Sequence, residues 1–191
     1  YNPVKRFFVY LKAKKINSDM QTVLQKMERF YKEPGNIYGF NIKKELVADS
    51  ILIQTSGACK GYPTNQFIYS LINKLRNYAT TNSAKESGYP MLNVGTTDSI
   101  NFDVKVAIPV AKALPNTGDI LQKRMLGKGN ILVTEVKGGN EIANKAIEQI
   151  KKYAEDYRRI APALPFYSLI TDTLKEPDTT KWITKVYFPV M

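Results

Sequence analysis

Apolar and polar positions follow two rhythms along this chain, one helical and one of extended strands. Between residues 18 and 31, Met20, Val23, Leu24, Met27, Phe30 and Tyr31 recur at helical spacing and form one apolar face. Ser18 and Gln21 stand in capping-box spacing at its start, and Pro34-Gly35 closes it. Upstream, residues 5–13 hold a dense run, Phe7-Phe8-Val9-Tyr10-Leu11, set between charges, which fits strand and helix equally.

Beyond residue 43 the pattern repeats. Ile51-Leu52-Ile53-Gln54-Thr55 and Ile131-Leu132-Val133-Thr134-Glu135 are β-type runs 80 residues apart. At the same offset Lys43-Lys44 and Leu46 match Lys123-Arg124 and Leu126, and Val104–Val110 matches Thr184–Val190. Each half also carries one amphipathic helix, expected over 64–79 and 141–157. Two strands follow each helix: Met91–Thr97 then Phe102–Val110, and Phe166–Thr171 then Trp182–Val190. Asp98-Ser99-Ile100-Asn101 reads as a turn and Thr173–Lys181 as a longer loop.

This layout predicts an α+β fold of two pseudo-symmetric strand-helix-strand-strand units, whose antiparallel sheets form a central cleft, with an N-terminal helical extension. The expected organisation is a basic arm, a helix and the start of the first strand over 1–42, then one domain over 43–191 with halves 43–118 and 119–191. The cleft belongs at the junction of the halves, where ligand sites favour concave surfaces. Pro109 and Pro189 cannot donate a ladder hydrogen bond, so each closing strand is expected to end there or to lie at an edge.

Composition narrows the chemistry. The 191 residues contain no histidine and one cysteine, Cys59. Histidine-dependent triads, His-ligated metals, cysteine-rich zinc sites and an intrachain disulfide framework are thereby excluded. No cofactor or metal is implied: Gly138-Gly139 lacks a phosphate-binding fingerprint and reads as a turn. The net charge is +11, and the first 15 residues carry Lys5, Arg6, Lys12, Lys14 and Lys15 without an acid. That stretch fits a solvated arm, or the flank of a membrane anchor or fused domain ahead of Tyr1. The expected location is the cytoplasm, with a tether to the inner membrane if such an anchor precedes Tyr1. No helix-turn-helix pattern occupies the first 46 residues and the later basic residues form no stripe, so contact with nucleic acid is not expected.

The closing block Lys181-Trp182-Ile183-Thr184-Lys185-Val186-Tyr187-Phe188-Pro189-Val190 resembles the last strand of GyrI-like domains, which also form the effector-binding part of some MerR- and AraC-type transcription regulators. Glu176-Pro177-Asp178 before the tryptophan and Val136-Lys137-Gly138-Gly139 before the second helix fit the same pattern, and the resemblance runs from about Lys43 to Met191. It implies a duplicated fold with a cleft for amphipathic small molecules. Family roles include drug sensing, gyrase inhibition and, in some members, hydrolysis of cyclopropane-containing toxins. Relatives often place a glutamate on the closing strand where this chain has Lys185, with Lys105 as its counterpart in the first half. A lysine cannot serve as that acid, which argues against both the hydrolysis and a preference for cationic drugs.

The candidate ligand-binding residues are Trp182 as a pocket wall, Tyr187 and Lys185 two apart on one strand face, Lys105, and the aromatics Phe102, Tyr69 and Tyr167. Phe67, Tyr89 and Phe166 belong to the same aromatic pool, from which sequence does not choose. Glu135 interrupts an apolar strand, so it lies either at an exposed end or in the cleft, where burial would require a partner, Lys185 or Lys105; it is also the one weak candidate for a catalytic base. The leading expectation is a non-catalytic domain that binds an amphipathic small molecule. A cyclopropanoid-type hydrolase and a protein-interaction module, such as a gyrase inhibitor, are the alternatives.

Overall fold

The computed structural model describes residues 2–96, 98, 100–125 and 127–191. The chain divides into two compact units, Tyr1–Asn41 and Ile42–Met191.

The first unit holds α1 (Pro3–Lys32) and the short α2 (Pro34–Tyr38). The apolar run at residues 5–13 and the helix expected from residue 18 are one continuous helix. Asn2 caps it: the side-chain Oδ1 accepts from the amides of Val4 (3.1 Å) and Lys5 (3.4 Å). Pro3 follows at the first helical position, where its missing N–H costs nothing. Ser18 is therefore interior, not a cap, and its carbonyl accepts from the Thr22 hydroxyl. No residue of α1 is buried. Val9, Ala13, Ile16, Met20, Val23, Met27 and Phe30 follow one another at alternating spacings of four and three, an unbroken heptad seam.

The second unit is an eight-stranded antiparallel sheet curled into a half-barrel, in the order β1-β6-β8-β7-β3-β4-β2-β5. The strands are β1 (Lys43–Leu46), β2 (Ser50–Lys60), β3 (Met91–Thr96), β4 (Asn101–Val110), β5 (Leu121–Met125), β6 (Asn130–Lys137), β7 (Phe166–Leu169) and β8 (Ile183–Val190). Helices α3 (Asn65–Thr81) and α4 (Asn140–Asp156) pack on one face, α3 over β2 and β4, α4 over β6 and β8. Exchanging each strand with its repeat partner maps the order onto itself, so the pseudo-two-fold axis passes between β7 and β3. The two halves interlock, because β1 pairs with β6 and β5 pairs with β2: each half lends its leading strand to the other's sheet edge. The expected strand at Thr97 and part of the turn after it, at Ser99, lie outside the described residues, as does Leu126.

The helix-covered face is the core. Ile53, Val104, Val106 and Ile108 meet Ile68, Ile72 and Leu75 of α3, all fully or almost fully buried. Gly57 sits on this face because a Cβ there would lie 2.9 Å from the Phe67 ring. In α4 the buried face is Ala143, Ala146, Ile150 and Ala154, each 75 residues after Ile68, Leu71, Leu75 and Ala79. Gly138, before α4, has φ +136°, a region open to glycine and strained for other residues.

The prolines correct an expectation. β4 and β8 are interior strands, and each runs one residue past its proline. Pro109 pairs with Leu52 and Pro189 with Ile131. The edge condition holds on one flank only: β3 reaches no further than Ala107 and β7 no further than Tyr187. Pro109 presents its ring nitrogen to that side, where its carbonyl accepts from the Ser87 amide and Val110 makes only an isolated bridge to Glu86.

An ion cluster ties the β4–β5 connection to the core. Asp119 accepts from both the Lys74 ammonium (2.6 and 2.7 Å) and the buried Thr55 hydroxyl (2.7 Å). The hydrogen bond from Lys74, seconded by that from Thr55, holds the Asp119 carboxyl below its usual range. A carboxylate whose folded value is depressed stabilises the fold above its unfolded value, and that contribution disappears as pH falls through the folded one. Asp119→Asn is therefore expected to lower the urea midpoint at neutral pH. The difference from wild type should close in the acid range; a pH-independent difference would refute the assignment.

Candidate functional site

The face of the sheet opposite α3 and α4 carries the cleft. Strand alternation puts Gln54 and Leu52 of β2, Lys105, Ala107 and Pro109 of β4, Met91 and Asn93 of β3, Phe166 of β7, and Lys185, Tyr187 and Pro189 of β8 on this side. The segments 47–50 and 162–165 form its rims. Three adjoining hollows of about 190, 420 and 830 Å³ open on it, and Met125 and Phe166 line all three.

Phe166 stacks on Tyr187, ring centroids 4.9 Å apart and 13° between planes. The pair is directly opposed in register, so the stack is a cross-strand platform. Burial, more than any charge, pushes the Tyr187 hydroxyl above its ordinary value, so the phenol is neutral at physiological pH. On the other side of the axis the equivalent positions are Met91 and Ala107, also directly opposed. Ala107 leaves open the space that Tyr187 fills in its own half, and the smallest hollow lies there, lined by Leu52, Met91, Asn93, Lys105, Ala107 and Phe166 among others. Asn93 donates to the Pro165 carbonyl (2.7 Å) and pins the rim of that hollow.

The charged groups stand around this apolar floor. Lys105 lines the smallest hollow and pairs with Asp103 at 3.2 Å. Lys185 pairs with Glu135 across the β6–β8 ladder at 3.8 Å, with Glu135 57% exposed. Half-exposed pairs of this kind hold each other by roughly 0–1 kcal/mol, so either lysine can turn to a bound anion at little cost. Glu135 lines none of the three hollows.

The eight sequence candidates thus divide by face. Tyr187, Lys185, Glu135 and Lys105 are on the cleft side. Trp182, Phe102, Tyr69 and Tyr167 are on the helix side or in the core beneath it. The Trp182 indole is buried and donates to the Glu176 carbonyl (2.7 Å), which fastens the loop before β8. Tyr69, on α3, is buried; its hydroxyl donates to the Thr171 carbonyl and accepts from the Thr173 amide, 2.9 Å away. Tyr167 donates to Asn144 of α4 at 2.6 Å, and burial raises its hydroxyl far above the ordinary range. Phe102 packs edge-on against Tyr62. Phe166, Met91, Ala107 and Asn93 were not singled out by sequence. Parity was the one signal, and a partial one: Phe166 and Tyr167 are adjacent on a strand, so the two aromatics face opposite ways.

A curled antiparallel half-barrel of two interlocked β-α-β-β repeats, helices on one face and a hollow on the other, is the GyrI-like fold. No protein-family model and no curated protein matches the chain. Among solved structures, it is similar to EcmrR in its complex with DNA, at 17% identity over 95% of this chain and 69% of that one, with a TM-score of 0.69. The EcmrR C-terminal domain matches at 16% identity over 80% of this chain and 98% of that one, TM-score 0.66. A hydrolase from Listeria innocua matches at 10% identity over 78% and 91%, TM-score 0.58. Likeness at these identities establishes the fold.

Proposed function

We propose that this chain is an effector-binding domain whose cleft takes an amphipathic small molecule with a flat apolar body, without catalysing a reaction on it. The observation that carries the reading is the Phe166–Tyr187 platform beside the open hollow at Ala107. An aromatic or fused-ring ligand fits against the stack, with Leu52, Met91 and Met125 as its apolar surroundings. Lys105 then meets a carboxylate, sulfonate or carbonyl at the ligand's edge. The hydrolytic alternative loses the one catalytic base the sequence offered, since Glu135 touches no hollow and faces a lysine.

Titration with the uncharged dye N-phenyl-1-naphthylamine tests the binding reading. We expect saturable fluorescence enhancement at one site per chain, competed by other fused-ring compounds. Absence of saturable binding by this dye and by its anionic sulfonated analogue would sink the proposal. We further expect the anionic analogue to bind more tightly, and Lys105→Gln to remove about two- to fivefold of that preference, the range of a half-exposed charge contact.

A further inference from the structure

α1 runs for 30 residues, about 45 Å at 1.5 Å per residue, and buries none of them. Thirteen large apolar side chains on it are between 43% and 65% exposed. A patch of that extent exceeds what monomers ordinarily leave in water. The apolar positions are also ordered. From Val9 to Phe30 the seam keeps a strict seven-residue repeat through three heptads with no polar interruption, and from Lys14 to Lys32 the positions facing away from it are all polar.

We propose that α1 is a homotypic coiled-coil surface along which two copies of this chain pair. The period identifies the occupant. A straight α-helix drifts about 20° per heptad against a 3.5-residue repeat, so this stripe winds roughly 60° around α1. A flat surface cannot follow such a stripe; a partner helix of the same repeat can, by supercoiling with it. A second copy supplies that helix at equal stoichiometry. Tyr10, Leu24 and Tyr31 flank the seam on one side and widen the apolar contact, bringing the covered area toward the roughly 800 Å² per partner of a standard interface. On the other side Lys12, Asp19 and Lys26 carry charges of both signs. Phe7, Phe8 and Leu11 stand off the seam and stay uncovered by the pairing.

Light scattering on the purified chain at micromolar concentration tests this. The expected mass is twice 21.6 kDa. Ile16→Glu/Val23→Glu should halve it, while Ile16→Leu/Val23→Leu and the outward-facing Gln21→Glu/Gln25→Glu should leave it unchanged. All three variants should keep the melting transition of the sheet unit, because α1 buries no residue. A monomeric wild-type chain overturns the proposal, and so does a dimer that survives the double glutamate variant. A wild-type monomer that sediments with phosphatidylserine vesicles, and loses this with the same variant, also overturns it and assigns the stripe to a membrane surface instead.

Discussion

Replacing Leu75 by alanine is expected to destabilise the fold by roughly 2–5 kcal/mol, the cost of a large-to-small change in a core that cannot collapse around the cavity. Leu75 is fully buried at the centre of the α3–sheet interface, among Ile53, Ile72, Val106 and Ile108, which are fully buried too. For a chain of this length that corresponds to a fall in melting temperature of roughly 4–20 °C at 2–4 °C per kcal/mol. Ile150→Ala should fall in the same range for a different reason. The remaining buried residues of α4 are alanines, so Ile150 is the one large side chain of that helix that is fully buried. Calorimetry on both variants decides the matter; a loss below about 1 kcal/mol at either position would mean that the interface is softer than close packing requires. The pair also tests the interlocking. If each half were an independent folding unit, Leu75→Ala and Ile150→Ala would split the transition in two. Exchange of β1 and β5 between the halves predicts one cooperative transition in both variants.

How much of this was legible beforehand can be argued strand by strand. The offset of 80 located both closing strands correctly, because Pro109 and Pro189, and Lys105 and Lys185, occupy equivalent places in the ladders. The same offset was out of phase in β2 and β6. Leu52 pairs with Pro109, but Ile131, not Leu132, pairs with Pro189, so the equivalence there runs at 79. A one-residue slip reverses the face of every side chain: Ile51 points to the helices and Ile131 to the cleft. Both runs are apolar on both faces, so no alternation was present to reveal the phase. Glu135 accordingly corresponds to Ser56, which opposes Lys105, and not to Thr55, which faces Asp119 and the core. The exchange of β1 and β5 was not legible either, since strand pairing is a long-range choice that local pattern leaves open. The helices were placed to within two residues because their period is strong. α1 was split in two because the all-round apolar turns at Phe7–Leu11 mask the 3.6-residue period there. Among the aromatics, type carried no information on direction. Tyr167 and Phe166 are neighbours, and the one that faces the cleft was decided by which sheet face α4 covers.

Ala107→Tyr is expected to weaken binding of the naphthylamine dye at least tenfold, about 1.4 kcal/mol, without unfolding the protein. The argument comes from the broken symmetry of the repeat. Tyr187 occupies the equivalent position in the second half and is accommodated opposite Phe166; a tyrosine at 107 would stand opposite Met91 and project into the hollow of about 190 Å³. Because the hollow opens to solvent at its rim, the added ring displaces ligand and water, not core side chains, and the melting temperature should change little. Phe166→Ala acts from the other side. It removes the ring that lines all three hollows and leaves Tyr187 without its stacking partner, so both the platform and its rigidity are lost. Phe166→Leu keeps apolar bulk but no flat face, and should recover stability more fully than affinity. Measured together by dye titration and melting, the three variants separate shape from folding. If Ala107→Tyr binds as wild type does, the ligand lies outside the open half of the cleft and the asymmetry at 107 and 187 has no part in recognition. If Phe166→Leu restores affinity completely, the platform contributes volume and not ring stacking, and the preference for a flat ligand goes with it.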